Sequence, residues 1–201
     1  MNKCKVCNDI DYHEIIDCIM SALDARDTYT AGHSQRVSDM ALVVCDLIGF
    51  KESDRQKIHI AAHLHDIGKI GIPDYVLLKE EKLTNEEWEI IKKHPEIGAE
   101  ILSKSKHLME LKDIVLHHHE RFDGKGYPSG LRGEQIPVGA RIIAICDSID
   151  AMLSNRCYRK ANNLDHCYNE IQKNLGKMYD PVIGTYVLDN WKQVVEELYI
   201  E

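Results

Sequence analysis

The chain has few aromatic residues, no excess of basic charge and no long apolar run. Two Phe and two Trp in 201 residues leave a core resting on Leu, Ile, Val, Ala and Met, which suits packed helices better than a β-sandwich. A net charge of −8 excludes the basic face of a general nucleic-acid binder. The opening MNKCKVCNDIDYHEII has no signal-peptide core, and no later run is long enough to cross a bilayer, so no membrane association and a cytoplasmic location are expected. Seven cysteines without regular spacing exclude a disulfide framework and read as reduced thiols.

What is present is helical periodicity. Ile15, Ile16, Ile19, Met20 and Leu23 recur at spacings of three and four and predict a helix over 11–25 with these residues on one side. Further helices are predicted over 30–47, stopped by Gly49, and over 54–67, ended by Gly68 and Gly71. Thr84 with Glu87 forms a capping-box pattern opening a helix that ends near His94, and Pro95 suits the first residue of the next, through Leu102. Residues 107–119, 138–153, 164–175 and 181–198 complete the set. Between them, 121–139 holds Gly124, Gly126, Pro128, Gly130, Gly133, Pro137 and Gly139 and reads as a long ordered loop. The expectation is one all-α bundle of about seven to nine helices.

The histidines and aspartates fall at telling places. His65-Asp66 closes the third predicted helix, in HLHDIGKIGIPD. Adjacent helical side chains point about 100° apart, so both reach one ion only at a crowded interhelical site. An imidazole beside a carboxylate suits iron, manganese or zinc, and the carboxylate can bridge two ions. Lys69, one turn further along the same face, could hold a phosphate oxygen. An isolated HD dipeptide is more often a cap or solvated turn; the surroundings raise this one. His33 follows TYTAG, His117-His118-His119 ends another predicted helix, and Asp147 lies inside ARIIAICDSIDAM, an expensive burial without a cation. The alternative for Asp147 is a cap or the bundle surface.

The strings HSQRV, HLHDIGKIGIPD, His94-Pro95, HHERFDGKGYP and ARIIAICDSIDAM, with Arg156, Tyr158 and Arg159 after them, resemble in this order the HD-GYP branch of the HD phosphohydrolases, from about residue 20 to about 185. The resemblance implies an HD-domain-like bundle over 21–201, with 1–20 as an N-terminal helical extension. It implies a divalent-metal phosphodiesterase hydrolysing cyclic di-GMP to pGpG or GMP, or an HD-superfamily phosphohydrolase acting on another cyclic dinucleotide such as cyclic GMP-AMP or on nucleotides. By the same resemblance His33, His65, Asp66 and Asp147 are ligands of one metal, and His94, His118 and His119, with Asp66 bridging, of a second. Asp66 and Lys69 are the catalytic pair. Lys69, Tyr127, Arg156 and Arg159 meet the substrate, whereas His117 stands outside the matched pair as a packing or supporting residue. Some members carry a glutamate four residues before the first histidine, which helps to bind a third metal; Tyr29 occupies that place here, so two ions are expected.

Seven ligands with one bridging carboxylate supply about eight metal bonds against roughly twelve for two six-coordinate ions, leaving positions for water and phosphate oxygens. A metal-bridging hydroxide is the expected nucleophile, the cations reverse the local sign in an acidic chain, and the ions are iron or manganese, with zinc or nickel as alternatives. The glycines of the 121–139 loop would hold Tyr127 against a base or sugar, or the tyrosine packs on the bundle. Glu120 and Asp123 could fix the tautomers of ligand histidines, or pair with Arg121 and Lys125. Cys4 and Cys7, with Cys18 and His13 nearby, suggest zinc but lack a second CxxC, so an incidental terminus is expected. The acidic stretch 80–100 reads as a solvated helix face. A non-catalytic nucleotide sensor is the reading of a different class, disfavoured because every ligand position, Lys69 and Tyr127 are in place. No receiver or sensor segment is evident, so a regulatory partner chain or constitutive activity is expected.

Overall fold

The computed structural model describes residues 12–26, 32–154 and 163–199, all helices, turns and loops without a strand among them. Tyr29, Arg156, Arg159, Cys4 and Cys7 lie outside the described residues. The helices are α1 (Tyr12–Arg26), α2 (His33–Ile48), α3 (Glu52–Leu64), the single turn α4 (Asp74–Leu77), α5 (Asn85–Ile91), α6 (His94–Ser103), α7 (Lys112–Leu116), α8 (Val138–Leu153), α9 (Leu164–Lys173), α10 (Pro181–Asp189) and α11 (Glu197–Tyr199). None is long and apolar enough to cross a membrane.

The core forms where α2 packs on α3 and α8. Val37, Met40, Ala41 and Val44 of α2 meet Ala61 and Ala62 of α3 and Ile142, Ile143, Cys146 and Ile149 of α8 in one buried apolar cluster. Small residues on α3 permit close approach, and β-branched residues on α8 fill the space with few rotamers to lose. Gly49, at φ +85°, ends α2 by turning its N–H back to the carbonyls of Cys45 and Asp46.

α1 buries a narrower stripe than its periodicity suggests. Ile16, Met20 and Leu23 enter the core, but Ile15 and Ile19 are each 43% exposed, because α1 rests on α3 and the turn after it and is covered on one side only. The helix runs unbroken across the 20/21 position. Arg26 fastens its end: Nη1 donates to the carbonyls of Lys69 and Ile70, both at 2.9 Å, Nη2 to that of Ile72, and Nε to Asp74 at 2.9 Å.

The capping box opening α5 is formed in both directions, with Glu87 N–H donating to Thr84 Oγ1 and Thr84 N–H to Glu87 Oε2. The helix expected over 181–198 is instead α10, a π-helical turn over Lys192–Glu196 and α11. Asp180 caps α10 through the N–H groups of Val182 and Ile183 and holds Arg141 of α8 at 2.5 Å. The Gly- and Pro-rich loop is pinned by its backbone: Phe122 and Asp123 donate to the carbonyls of Met178 and Lys177, and Tyr127 to that of His119.

Candidate metal centre

Two helix ends stop short of where periodicity places them, and the site is built from the residues just beyond those ends. α3 ends at Leu64, so His65-Asp66 lies beyond it, before a 3-10 turn over Ile67–Gly71. α7 ends at Leu116, and His117, His118 and His119 follow in a turn. The 107–119 segment is therefore a 3-10 turn at Met109–Leu111, then α7 and the histidine turn. Gly68 explains the tightness of the first turn. A Cβ there would stand 1.9 Å from the His94 carbonyl oxygen and 2.5 Å from Gly98 N, so only glycine lets Asp66 come down onto the start of α6.

The structure brings the seven predicted ligand side chains into one cluster, five of them buried and His119 and Asp147 partly so. Nε2 of His33 lies 3.3 Å from Nε2 of His65 and 3.3 Å from Asp147 Oδ1. Asp66 Oδ2 stands 3.4 Å from His65 Nε2 and 3.7 Å from His33 Nε2, while its Oδ1 stands 3.3 Å from His94 Nε2. Nε2 of His94 and His118 are 3.3 Å apart. The His119 ring packs on His118, with centroids 4.1 Å apart, and on His94 at 5.0 Å.

The other ring nitrogens settle what these short separations mean. Nδ1 of His65, His94 and His118 donates to the carbonyls of Ala62, Ile91 and Val115 at 2.7, 2.8 and 2.6 Å, each three residues back. Nδ1 of His33 donates to Asp150 at 2.6 Å. With these four Nδ1 atoms committed as donors, a neutral ring carries a lone pair on Nε2. For His94 and His118 the paired Nε2 atoms then face each other as two acceptors, an arrangement that a shared cation relieves; on His33 the Nε2 proton has to leave before a cation enters. Two nitrogens at about 2.0–2.1 Å from one ion stand about 3.0–3.4 Å apart, which fits the observed spacing. The donor set therefore suits divalent metals, with Asp66 presenting one oxygen to each group of histidines.

The electrostatics of the two groups differ. Burial by itself would lower the pKa of His33, but hydrogen bonds to Asp147 and Asp150 and the charge of Asp66 raise it to about 9. His118 is pushed well below its ordinary value by burial and by the neighbouring imidazoles, and His119 in the same way to about 3. Burial would raise Asp66, yet Lys69, His65 and His94 hold it well below the usual carboxylate range. Asp147, partly buried, is held down by its hydrogen bond to His33 and the charge of that ring.

Lys69 Nζ stands 2.6 Å from Asp66 Oδ2, at the edge of the cluster. Tyr127 stacks beside His119 with centroids 4.9 Å apart and is flanked by Trp88 and by Lys92 Nζ, 5.9 Å from its ring. Burial, together with the charges of Asp147 and Asp66, raises its phenol pKa. Of the stretch 80–100, Trp88 and Lys92 thus border this pocket rather than bulk solvent alone. Gly126 makes the placement possible: a Cβ there would lie 2.3 Å from Arg121 N and 2.5 Å from Glu120 Cα.

Glu120 and Asp123 do not hold ligand histidines. Glu120 is buried and accepts from the Ser129 N–H at 2.7 Å, supporting the loop from beneath. Asp123 pairs with Arg121 at 2.7 Å and accepts from Lys125 N–H at 3.1 Å. His117 likewise serves the loop, its Nε2 3.3 Å from Ser129 Oγ. The residue that sequence reasoning missed is Asp150. It is 1% exposed and receives His33 Nδ1, Arg36 Nε at 2.5 Å and the Tyr199 hydroxyl. Its signal was present in CDSID: Asp150 follows Asp147 by three residues, on the same helical face.

The model of the family described as HD domain matches residues 17–183. A cyclic di-GMP phosphodiesterase of Thermotoga maritima is 40% identical over 185 residues, covering 91% of this chain and 50% of that protein. A 3′3′-cGAMP-specific phosphodiesterase 2 of Vibrio cholerae is 38% identical over 184 residues, covering 90% of this chain and 35% of that protein. The chain thus spans half or less of the length of these relatives. The crystal structure of a cyclic GMP-AMP-specific phosphodiesterase of V. cholerae (V-cGAP3) superposes with a TM-score of 0.70 at 18% identity, over 91% of this chain and 48% of that one, a likeness of fold.

Proposed function

This chain belongs to the HD domain family and carries the motifs of its HD-GYP branch, and from that premise we propose that it is a metal-dependent phosphodiesterase that hydrolyses cyclic di-GMP to pGpG or GMP. The observation that carries the reading is Asp66, whose two oxygens face two separate sets of imidazoles across a buried floor. His33, His65, Asp66 and Asp147 would hold one divalent ion, and Asp66, His94, His118 and His119 a second. Iron or manganese suits this donor set, with zinc or nickel as alternatives, and Tyr29 in place of a carboxylate favours two ions over three. Such ions supply Lewis acidity toward the phosphate and lower the pKa of water enough to make it a nucleophile at neutral pH.

The chain's own residues position the diester. Lys69, paired with Asp66 in the absence of substrate, is placed to neutralise a non-bridging phosphate oxygen as charge develops there. Tyr127, held edge-on by Trp88 and backed by His119, offers a flat surface for a base or sugar. Arg156 and Arg159 are assigned to the remaining phosphate or to guanine. Asp150 turns His33 so that Nε2 faces the cluster.

Turnover of cyclic di-GMP, cyclic GMP-AMP, cyclic di-AMP and simple nucleotides by the metal-loaded protein tests the proposal. Cleavage of cyclic di-GMP with the highest kcat/KM is expected. Intact cyclic di-GMP beside cleaved cyclic GMP-AMP would transfer the reading to the second substrate, which the similarity to the V. cholerae 3′3′-cGAMP-specific relative favours. Binding without cleavage of any of them would make the chain a sensor. Its activity is controlled by a partner chain or is constitutive.

A further inference from the structure

A second group of histidines lies away from this centre. His13 of α1 and His59 and His63 of α3 present ring nitrogens that all fall within 4.8 Å of one another. The His59 and His63 rings meet edge to face with centroids 4.7 Å apart, and His13 stands 5.3 Å from His59 and 6.3 Å from His63. His59 and His63 are buried and lie one helical turn apart on one face of α3.

Both buried rings are anchored by the same residue of α2. Ser38 Oγ donates to the Gln35 carbonyl at 2.8 Å, so it accepts from His63 Nε2–H at 2.9 Å. His59 Nδ1 lies 3.4 Å from the Ser38 carbonyl and points its N–H there. Lone pairs are then left on His63 Nδ1 and His59 Nε2. A ligand histidine whose other ring nitrogen is held by a carbonyl or hydroxyl is the arrangement that fixes tautomer and orientation for metal binding. Burial and the nearby His13 also keep the His59 imidazole below its ordinary pKa, in the form a cation needs.

We propose that His13, His59 and His63 form a separate mononuclear site for a borderline divalent cation such as zinc. Three imidazole nitrogens suit zinc, nickel or cobalt over calcium or magnesium. Moving the nitrogens from within 4.8 Å to the roughly 3.3 Å of a tetrahedral ion takes small side-chain rotations. The fourth position falls to water or to Asp17, which follows His13 by one turn of α1 and whose charge reaches His63. The ion would tie the start of α1 to α3, while Arg26 ties its end to the backbone that carries Lys69. Docking of α1 thereby becomes cation-dependent, through residues that take no part in the dinuclear cluster.

The test uses the full chain and its His13→Ala and His59→Ala variants. His13 is only half-buried, so its truncation spares the core. Equilibrium dialysis against zinc should show one ion fewer per chain in each variant, with cyclic-dinucleotide turnover within about twofold of the parent. In the cobalt-loaded parent, the intense visible absorption of a four-coordinate ion is expected, and it should vanish in both variants. Zinc content equal in parent and both variants, or an intense cobalt band that is absent from the parent or unchanged by both substitutions, would overturn the site. The zinc and cobalt readouts are of metal alone and decide the site whether or not the chain cleaves cyclic di-GMP; the turnover comparison rests on the proposed function.

Discussion

The two halves of the candidate metal centre are supported in opposite ways. One half, His33, His65 and Asp147, is backed by charge: Asp150 holds His33, and Arg36 and Tyr199 hold Asp150. The other half, His94, His118 and His119, is imidazole only, and His94 and His118 are anchored to carbonyls three residues back. The consequence is protonic. Without metal, His33 carries a proton at neutral pH, whereas His118 and His119 do not. An ion entering the first half must displace a proton; an ion entering the second meets lone pairs already prepared.

Asp66 is the one element common to both halves, and its removal should erase the contrast. Asp66→Ala is expected to lower turnover by about 10³-fold or more, with both ions lost in elemental analysis. Asp150→Asn should break the symmetry instead. It is expected to weaken one ion by roughly 10–100-fold and leave the other, which stepwise metal titration would resolve; equal weakening of both would remove the distinction between the halves.

The pH dependence sharpens the same contrast. A histidine that must lose its proton binds more tightly as pH rises toward its own pKa. Affinity of the carboxylate-backed half should therefore climb roughly tenfold per pH unit until the His33 value of about 9 is approached. The imidazole half, with His119 near 3, should stay nearly flat across neutral pH. Chelator competition at several pH values measures both slopes. The smallest effect concerns the loop that leans on the imidazole half. Gly126→Ala places a Cβ against Arg121 N and should cost about 1–3 kcal/mol of stability, read from the shift in a denaturant-unfolding midpoint. It should also raise KM several-fold with kcat less affected, because Tyr127 moves and the ligands do not.

Much of the bundle was legible in local pattern. The span 138–153 coincides with α8, and the Thr84 box and the Gly49 stop stand where their chemistry places them, while Pro95 falls one residue inside α6, which begins at His94. These features depend on residues a few positions apart. The candidate ligands come from ordered motifs, since each motif carries its own donors, and the structure brings their side chains together. The exposure of Ile15 and Ile19 was not legible, because it depends on how little of α1 the bundle covers.

Sequence by itself therefore determined the helical class, the caps and the inventory of donors. Tertiary structure decided their pairing. Asp66 meets His94 only because Gly68 tolerates the α6 backbone, and Asp150 reaches His33 across 117 residues of chain. His13 joins His59 and His63 only once α1 lies on α3. Periodicity reports which face of an element is buried; it carries no information on which distant face lies opposite, and a metal site is made of opposite faces.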